Sequence, residues 1–177
     1  ETARPAPLSP YGVTKLAAEH LCMLYHANYA VPTVAVRYFT VYGPRQRPDM
    51  AFHRFLRAIL DNEPLSLYGD GEQTRDFTFV EDAVAATIAA AEHGTNGTVY
   101  NIGGGSRVSM NEILDIMAQC TGKSPNVRRQ ETQRGDMRDT FADTTRARKE
   151  LGFAPRVILK DGMLAEYQWL TSAIGTL

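Results

Sequence analysis

Disulfide bonding is not what holds this chain together: its 177 residues contain two cysteines, Cys22 and Cys120, each alone in a helical pattern. They are too few for a framework and too far apart for a metal knuckle, so both read as buried thiols of a cytoplasmic protein. Charge of one sign is also lacking. Against 20 Asp and Glu stand 19 Lys and Arg, a formal net charge of -1, which removes the electrostatic reason to expect nucleic acid or an anionic membrane as partner. No apolar run approaches the roughly 18 residues that a membrane span needs. The four histidines, His20, His26, His53 and His93, show neither metal-ligand spacing nor a partner carboxylate, and read as surface or packing residues. Internal repeats and low-complexity tracts are absent. What is there is ordinary: 44% hydrophobic and 22% charged residues, the balance of a globular protein, in a length that suits one sizeable domain or two small ones.

Punctuation divides the chain into alternating helices and strands. Ser9 then Pro10 reads as N-cap and first position of a helix running to about Tyr29, with Leu16, Ala17, Leu21 and Leu24 as its apolar stripe. Val31-Pro32 breaks it. TVAVRYF (33–39) is β-branched and aromatic, suited to a buried strand, and VYGPRQRPDM (41–50) reads as a loop. Helical spacing returns in AFHRFLRAIL (51–60). PLSLYGDGEQTRDFTFV (64–80) reads as two short strands around an Asp70-Gly71 turn, and the alanine-rich stretch from Glu81 to about His93 as a helix. A strand at TVYNI (98–102) empties through Gly103, Gly104 and Gly105 into Ser109-Met110-Asn111-Glu112, whose S-x-x-E spacing is a capping box. Asp143 stands where it would cap TTRARKEL, which stops at Gly152, and a last amphipathic helix runs from about Leu159 to Ala173. The alternation makes this an α/β chain. Within the glycine run, Val108 occupies the third glycine position of a dinucleotide fingerprint and no ribose-binding acid follows at the expected distance. The run therefore reads as a tight connection.

SPYGVTKLAAEH (9–20) puts a tyrosine and a lysine four residues apart, about one helical turn, on the same face. A free phenol titrates near 10 and is a poor base at neutral pH, whereas an ammonium one turn away favours the phenolate. Such a pair can take a proton from a sugar hydroxyl while a nicotinamide takes the hydride. Y-x-x-x-K alone arises by chance on many amphipathic helices. Here ETARPAPLSPYGVTKLAAE is followed in order by VRYFTVYGPRQRPDM, PLSLYGDGEQTRDFTFVEDA, YNIGGG and RGDMRDTFADTTRARKELGF. Together, from Glu1 to about Trp169, these segments resemble the C-terminal half of the extended short-chain dehydrogenase/reductases, the NAD-dependent nucleotide-sugar epimerases, dehydratases and decarboxylases.

The resemblance implies the C-terminal part of an NAD(P)-binding Rossmann-type fold plus a small α/β substrate domain. Residues 1–46 would be the last Rossmann elements and 47–177 mainly the substrate domain, with some segments returning to the Rossmann sheet. It implies Tyr11 as catalytic acid/base, Lys15 as the group that favours its phenolate and hydrogen-bonds the nicotinamide ribose, and Tyr38 as a further NAD contact. The family's catalytic Ser or Thr and its G-x-x-G-x-x-G turn precede the tyrosine and have no counterpart here, so the chain reads as a fragment lacking the dinucleotide-binding half. A UDP-sugar carries two phosphates, which guanidinium groups bind well; the family position makes Arg75, in QTRDF, the diphosphate ligand, with Tyr68 packing near the uracil. Thr40, in RYFTVYGP, stands where Asn is common, and with Arg47 it could hold a C6 carboxylate. Asp49 and Met50 fall in the sugar-binding region. Near RGD the match is looser: Gln133 holds the family's arginine position, Arg134 follows it and could reach phosphate, and Asp136 could meet the ribose, an arginine, or simply serve the turn.

The combination T-V-Y-G-P…R-P-D-M looks most like the UDP-glucuronate 4-epimerases and close relatives. The expected function is therefore NAD-dependent epimerisation at C4 of a UDP-sugar, UDP-glucuronate or UDP-glucose/galactose, through a 4-keto intermediate. The resemblance also implies a homodimer built with the Tyr–Lys helix. Nucleotide-sugar 4,6-dehydratases and UDP-glucuronate decarboxylases begin with the same C4 oxidation, and a non-catalytic nucleotide-sugar-binding domain is the rival of another class. With most of a parallel sheet lying elsewhere, strand 33–39 would lack neighbours and the first helix would expose its apolar face.

Overall fold

The computed structural model describes residues 1–132 and 137–174. Helix α1 (Pro10–Tyr29) begins as the sequence predicts, with the Ser9 hydroxyl accepting the Gly12 N–H at 3.1 Å and Pro10 at the first position. It buries no residue along its 20 positions. Val13, Leu21, Leu24 and Tyr25 are each more than half exposed. Cys22 is exposed for the same reason, and Cys120 is half-buried, so the expected buried thiols are not found.

Strand β1 (Val34–Tyr38) runs parallel to β6 (Thr98–Ile102), Val34 opposite Thr98 and Tyr38 opposite Ile102. Among the described residues β6 is its only strand neighbour. Hence β1 is not the buried strand expected: Val34 to Arg37 are half-buried and Tyr38 is exposed. Helices α3 (Val80–His93) and α5 (Thr145–Leu151) cover the pair and close a small core around Ala86, Ala90, Tyr100, Ile102, Ala147 and Phe153. Thr144 is the residue that precedes α5, while the Asp143 carboxylate accepts the Thr145 N–H at 2.9 Å.

A larger core gathers the remaining elements. Into the stretch read as a loop falls β2 (Val41–Tyr42), which pairs in parallel with β5 (Thr78–Phe79). Helix α2 (Ala51–Leu60) buries Phe52, Phe55, Leu56 and Ile59 on one face. Strand β3 (Leu65–Tyr68) runs parallel to β8 (Val127–Gln130), and β4 (Thr74–Asp76) antiparallel to β7 (Arg107–Ser109). The two strands around Asp70-Gly71 therefore do not pair with each other. Gly69 and Gly71, at φ +75° and +81°, turn the chain as expected, but β4 leaves toward a different partner. Helices α4 (Met110–Thr121) and α6 (Leu159–Ile174) complete this core with Ile113, Met117, Met163 and Leu170, around an aromatic centre in which Tyr42 meets Phe52, Phe77 and Phe79 edge-on.

The glycine run between β6 and β7 fits a tight connection. A Cβ on Gly104 would meet the Phe77 carbonyl oxygen at 1.8 Å, and the Gly105 N–H donates to the buried Asp76 carboxylate at 3.2 Å. The capping box then starts α4: the Ser109 hydroxyl accepts the Glu112 N–H at 3.2 Å, and the Glu112 carboxylate accepts the Ser109 N–H at 2.8 Å. Ser109→Ala is expected to cost about 1 kcal/mol, read as a fall of about 2–4 °C in melting temperature for a protein of this size; an unchanged melt would mean that the box contributes nothing. No helix among the described residues is long and apolar enough to cross a membrane.

Candidate active site

Helical geometry does bring Tyr11 and Lys15 together. The Lys15 Nζ stands 5.4 Å from the centroid of the Tyr11 ring, a cation over a π face. Glu19, a turn further on, is taken up by Arg37 of β1, whose Nε and Nη2 donate to its two oxygens at 2.7 and 2.6 Å. That hydrogen-bonded guanidinium holds the Glu19 carboxyl below the usual carboxylate range. Tyr11, Lys15 and Tyr38 line a cleft of about 690 Å³ between α1 and β1, floored by Ala35 and Val36. The Tyr38 hydroxyl is hydrogen-bonded to the Thr87 hydroxyl at 2.5 Å.

Tyr11 also borders a second cleft, of about 610 Å³, whose far wall is the segment from Gly43 to Arg47 with Met50. Here Gly43, Pro44, Arg45 and Gln46 form a turn closed by the Gln46 N–H on the Gly43 carbonyl at 3.0 Å. Proline at its second position and φ +69° at Arg45, its third, are the marks of a type II turn. The position usually goes to glycine, and a bulky residue there is strained. Gln46 is clamped in place: its side chain donates to the Val41 carbonyl at 3.1 Å and accepts the His53 N–H at 3.0 Å. Arg47 reaches Asp49 at 3.1 and 2.9 Å, on the exposed rim.

A third cleft, of about 290 Å³, collects Thr40, Asp49, Met50, Tyr68 and Arg75. Met50 belongs to this cleft and to the one beside Tyr11, so the two adjoin. Thr40 and Arg47 lie in the two neighbouring clefts and not in one, because the Thr40 carbonyl is fixed by the Thr78 N–H at 2.9 Å while Arg47 turns toward Asp49. Arg75 donates to the carbonyls of Thr74 and Arg138 at 2.9 and 3.1 Å. Arg134 and Asp136 lie outside the described residues.

Two residues of this region were not singled out by the sequence. Arg54 of α2 lines the Thr40–Arg75 cleft, one turn after Met50, whose carbonyl accepts its backbone N–H at 3.0 Å; no spacing in the sequence marked it. Glu166 of α6 has no exposed surface and accepts the Gly43 N–H at 2.8 Å. Burial pushes its carboxyl up to about 7.

Residues 1–103 match the NAD dependent epimerase/dehydratase family, and the chain belongs to it. An uncharacterized UDP-glucose epimerase of Bacillus subtilis, YtcB, is 40% identical over 173 residues, which cover 97% of this chain and 55% of that protein. A UDP-glucuronate 4-epimerase of Thermodesulfobacterium geofontis is 38% identical over 92% of this chain and 50% of its own length. The chain thus spans about half the length of the curated relatives it matches, among which a dTDP-glucose 4,6-dehydratase and a decarboxylase also occur. The crystal structure of the UDP-glucuronic acid 4-epimerase of Bacillus cereus, in complex with UDP-glucuronic acid and NAD, superposes with a TM-score of 0.94 at 47% identity, over 98% of this chain and 56% of that one. The fold is accordingly that of the extended short-chain dehydrogenase/reductases.

Proposed function

We propose that the full-length protein is an NAD-dependent epimerase that inverts C4 of a UDP-sugar, with UDP-glucuronate as its preferred substrate. Tyr11 and Lys15 facing one cleft, with Tyr11 also opening onto the cleft that carries Arg47, is the observation on which the reading rests. Relatives of both UDP-glucuronate and UDP-glucose type support the substrate class. Residues 1–46 would belong to the cofactor domain and 47–177 mainly to the substrate domain.

The cleft between α1 and β1 fits a nicotinamide riboside: it has an ammonium at one side, apolar residues on its floor and a phenol at its mouth. NAD, when bound there, supplies the hydride acceptor and donor at C4. Lys15, whose ammonium stands over the Tyr11 ring, holds a ribose hydroxyl. Tyr11 takes the proton from the 4-hydroxyl and returns it when the opposite face of the sugar is reduced. Arg75 and Tyr68 hold the diphosphate and the uracil; for Arg134 and Asp136, outside the described residues, a phosphate and a ribose role rest on the family resemblance alone. Thr40 and Arg47 face the C6 carboxylate from adjoining clefts, Arg47 exchanging Asp49 for the substrate, and Asp49 and Met50 shape the sugar pocket. The exposed apolar face of α1 is read as a homodimer contact, and the setting as cytoplasmic.

The test is Arg47→Ala in the full-length protein, assayed by the interconversion of epimers. A charge-assisted hydrogen bond to the carboxylate contributes about 1.5–3 kcal/mol, so kcat/KM for UDP-glucuronate should fall roughly ten- to hundredfold while that for UDP-glucose changes little. Equal losses on both substrates would sink the uronate assignment.

A further inference from the structure

We propose that Glu166 is a positioning residue: its buried carboxylate sets the Gly43–Gln46 turn and, through it, the wall of the cleft opposite Tyr11. The inference rests on the epimerase reading for its functional consequence and on geometry for everything else. The β2–β5 ladder ends at Tyr42 opposite Phe79. The next N–H along the chain, that of Gly43, goes instead to Glu166 Oε2 at 2.8 Å, from a helix more than a hundred residues away in sequence.

Three observations make this contact the support of the turn. Gly43 sits at φ +132° with its backbone pressed on Phe79 and Val80; a Cβ there would meet Val80 Cγ1 at 2.8 Å and Phe79 Cε2 at 3.0 Å. Arg45, two residues on, holds a strained left-handed conformation that only a fixed surrounding maintains. The far end of the turn is anchored by Gln46 to Val41 and to His53 of α2, while the near end is anchored from α6. Glu166 itself is an expensive anchor, since it is fully buried and its Oε1 has no hydrogen-bond partner among the described residues. An apolar side chain would pack there at lower cost. What such a chain would lose is the acceptor for Gly43.

The experiment compares Glu166→Met, which keeps the length of the side chain and removes the acceptor, with Glu166→Gln, which keeps an acceptor oxygen, in the full-length protein. Leaving the Gly43 N–H unpaired should raise KM for UDP-glucuronate about tenfold with little change in kcat, and should speed tryptic cleavage after the exposed Arg45 by a similar factor. Glu166→Gln should restore both. Wild-type KM together with wild-type cleavage in Glu166→Met overturns the assignment, as does a Gln variant that fails like Met. If Glu166→Met does not accumulate in folded form, amide exchange of Gly43 in Glu166→Gln decides: protection as in the wild type is expected, and free exchange overturns it. A wild-type protein that neither binds nor converts UDP-glucuronate defeats the epimerase reading instead, and tryptic cleavage alone then decides for or against Glu166.

Discussion

Replacing Tyr11 by phenylalanine in the full-length protein is expected to lower kcat for UDP-glucuronate about a thousandfold, the order that a positioned acid/base group contributes. The substitution is a narrow one. It leaves the ring that lies 5.4 Å from the Lys15 ammonium, so the cation–π contact survives and Lys15 keeps its place. It also leaves the ring at both clefts, since only a hydroxyl is removed from a residue that is 71% exposed. KM and NAD affinity should therefore change little, and the loss should fall on the step that moves the proton. Chromatographic separation of the two epimers in single-turnover and steady-state experiments reads this directly. A phenylalanine variant keeping a tenth or more of the wild-type turnover would mean that another group carries the proton. A variant that loses substrate binding along with turnover would mean that Tyr11 serves the pocket and not the chemistry.

What the sequence disclosed follows from how local each signal is. Ser9-Pro10, the Ser109 capping box and the left-handed Gly152 act within one turn of chain, and each stands in the structure where the pattern puts it. Tyr11 and Lys15 were legible for the same reason, because a four-residue spacing on one helix fixes their proximity. Strand pairing is not local. The turn at Asp70-Gly71 is plain in the sequence, yet whether β4 folds back on β3 or joins β7 is settled by residues more than thirty positions away. The strand at Val127–Gln130 was missed because VRRQ carries two charged residues and no alternation; its register on β3 supplies what its composition does not. Thr40 and Arg75 share a cleft only because the residue before β2 meets α2, β3 and β4 there, which no spacing announces. Glu166 could have been found. It lies between Met163 and Leu170 at helical spacing, a carboxylate in the apolar stripe of α6, and both of those neighbours are buried.

That carboxylate should also make the protein less stable as the pH rises through neutrality. Burial lifts Glu166 from an ordinary 4.5 to about 7, opposed by the Gly43 N–H that favours its ionised form. Tyr42 of β2, Asp82 of α3 and Asp161 of α6 lie in the same region: burial first, then the charges of Asp82, Glu166 and Asp161 raise the Tyr42 phenol. Between pH 4.5 and about 7 the folded state keeps a proton that the unfolded chain has released, so stability falls with pH across this window. The contribution is complete below the lower value and gone above the upper one. At 1.36 kcal/mol per pH unit, the rise from 4.5 to about 7 corresponds to a loss of about 3 kcal/mol. For a protein of this size that is a fall of about 6–12 °C in melting temperature. Glu166→Gln has no proton to lose there and keeps an oxygen for Gly43, so its melting temperature should decline less between pH 5 and pH 8, and at pH 8 it should melt above the wild type. Parallel curves for the two proteins would place the titration of Glu166 near that of an exposed glutamate. The oxygen holding Gly43 would then be ionised throughout the physiological range, and the turn would owe its setting to a full negative charge buried beneath it.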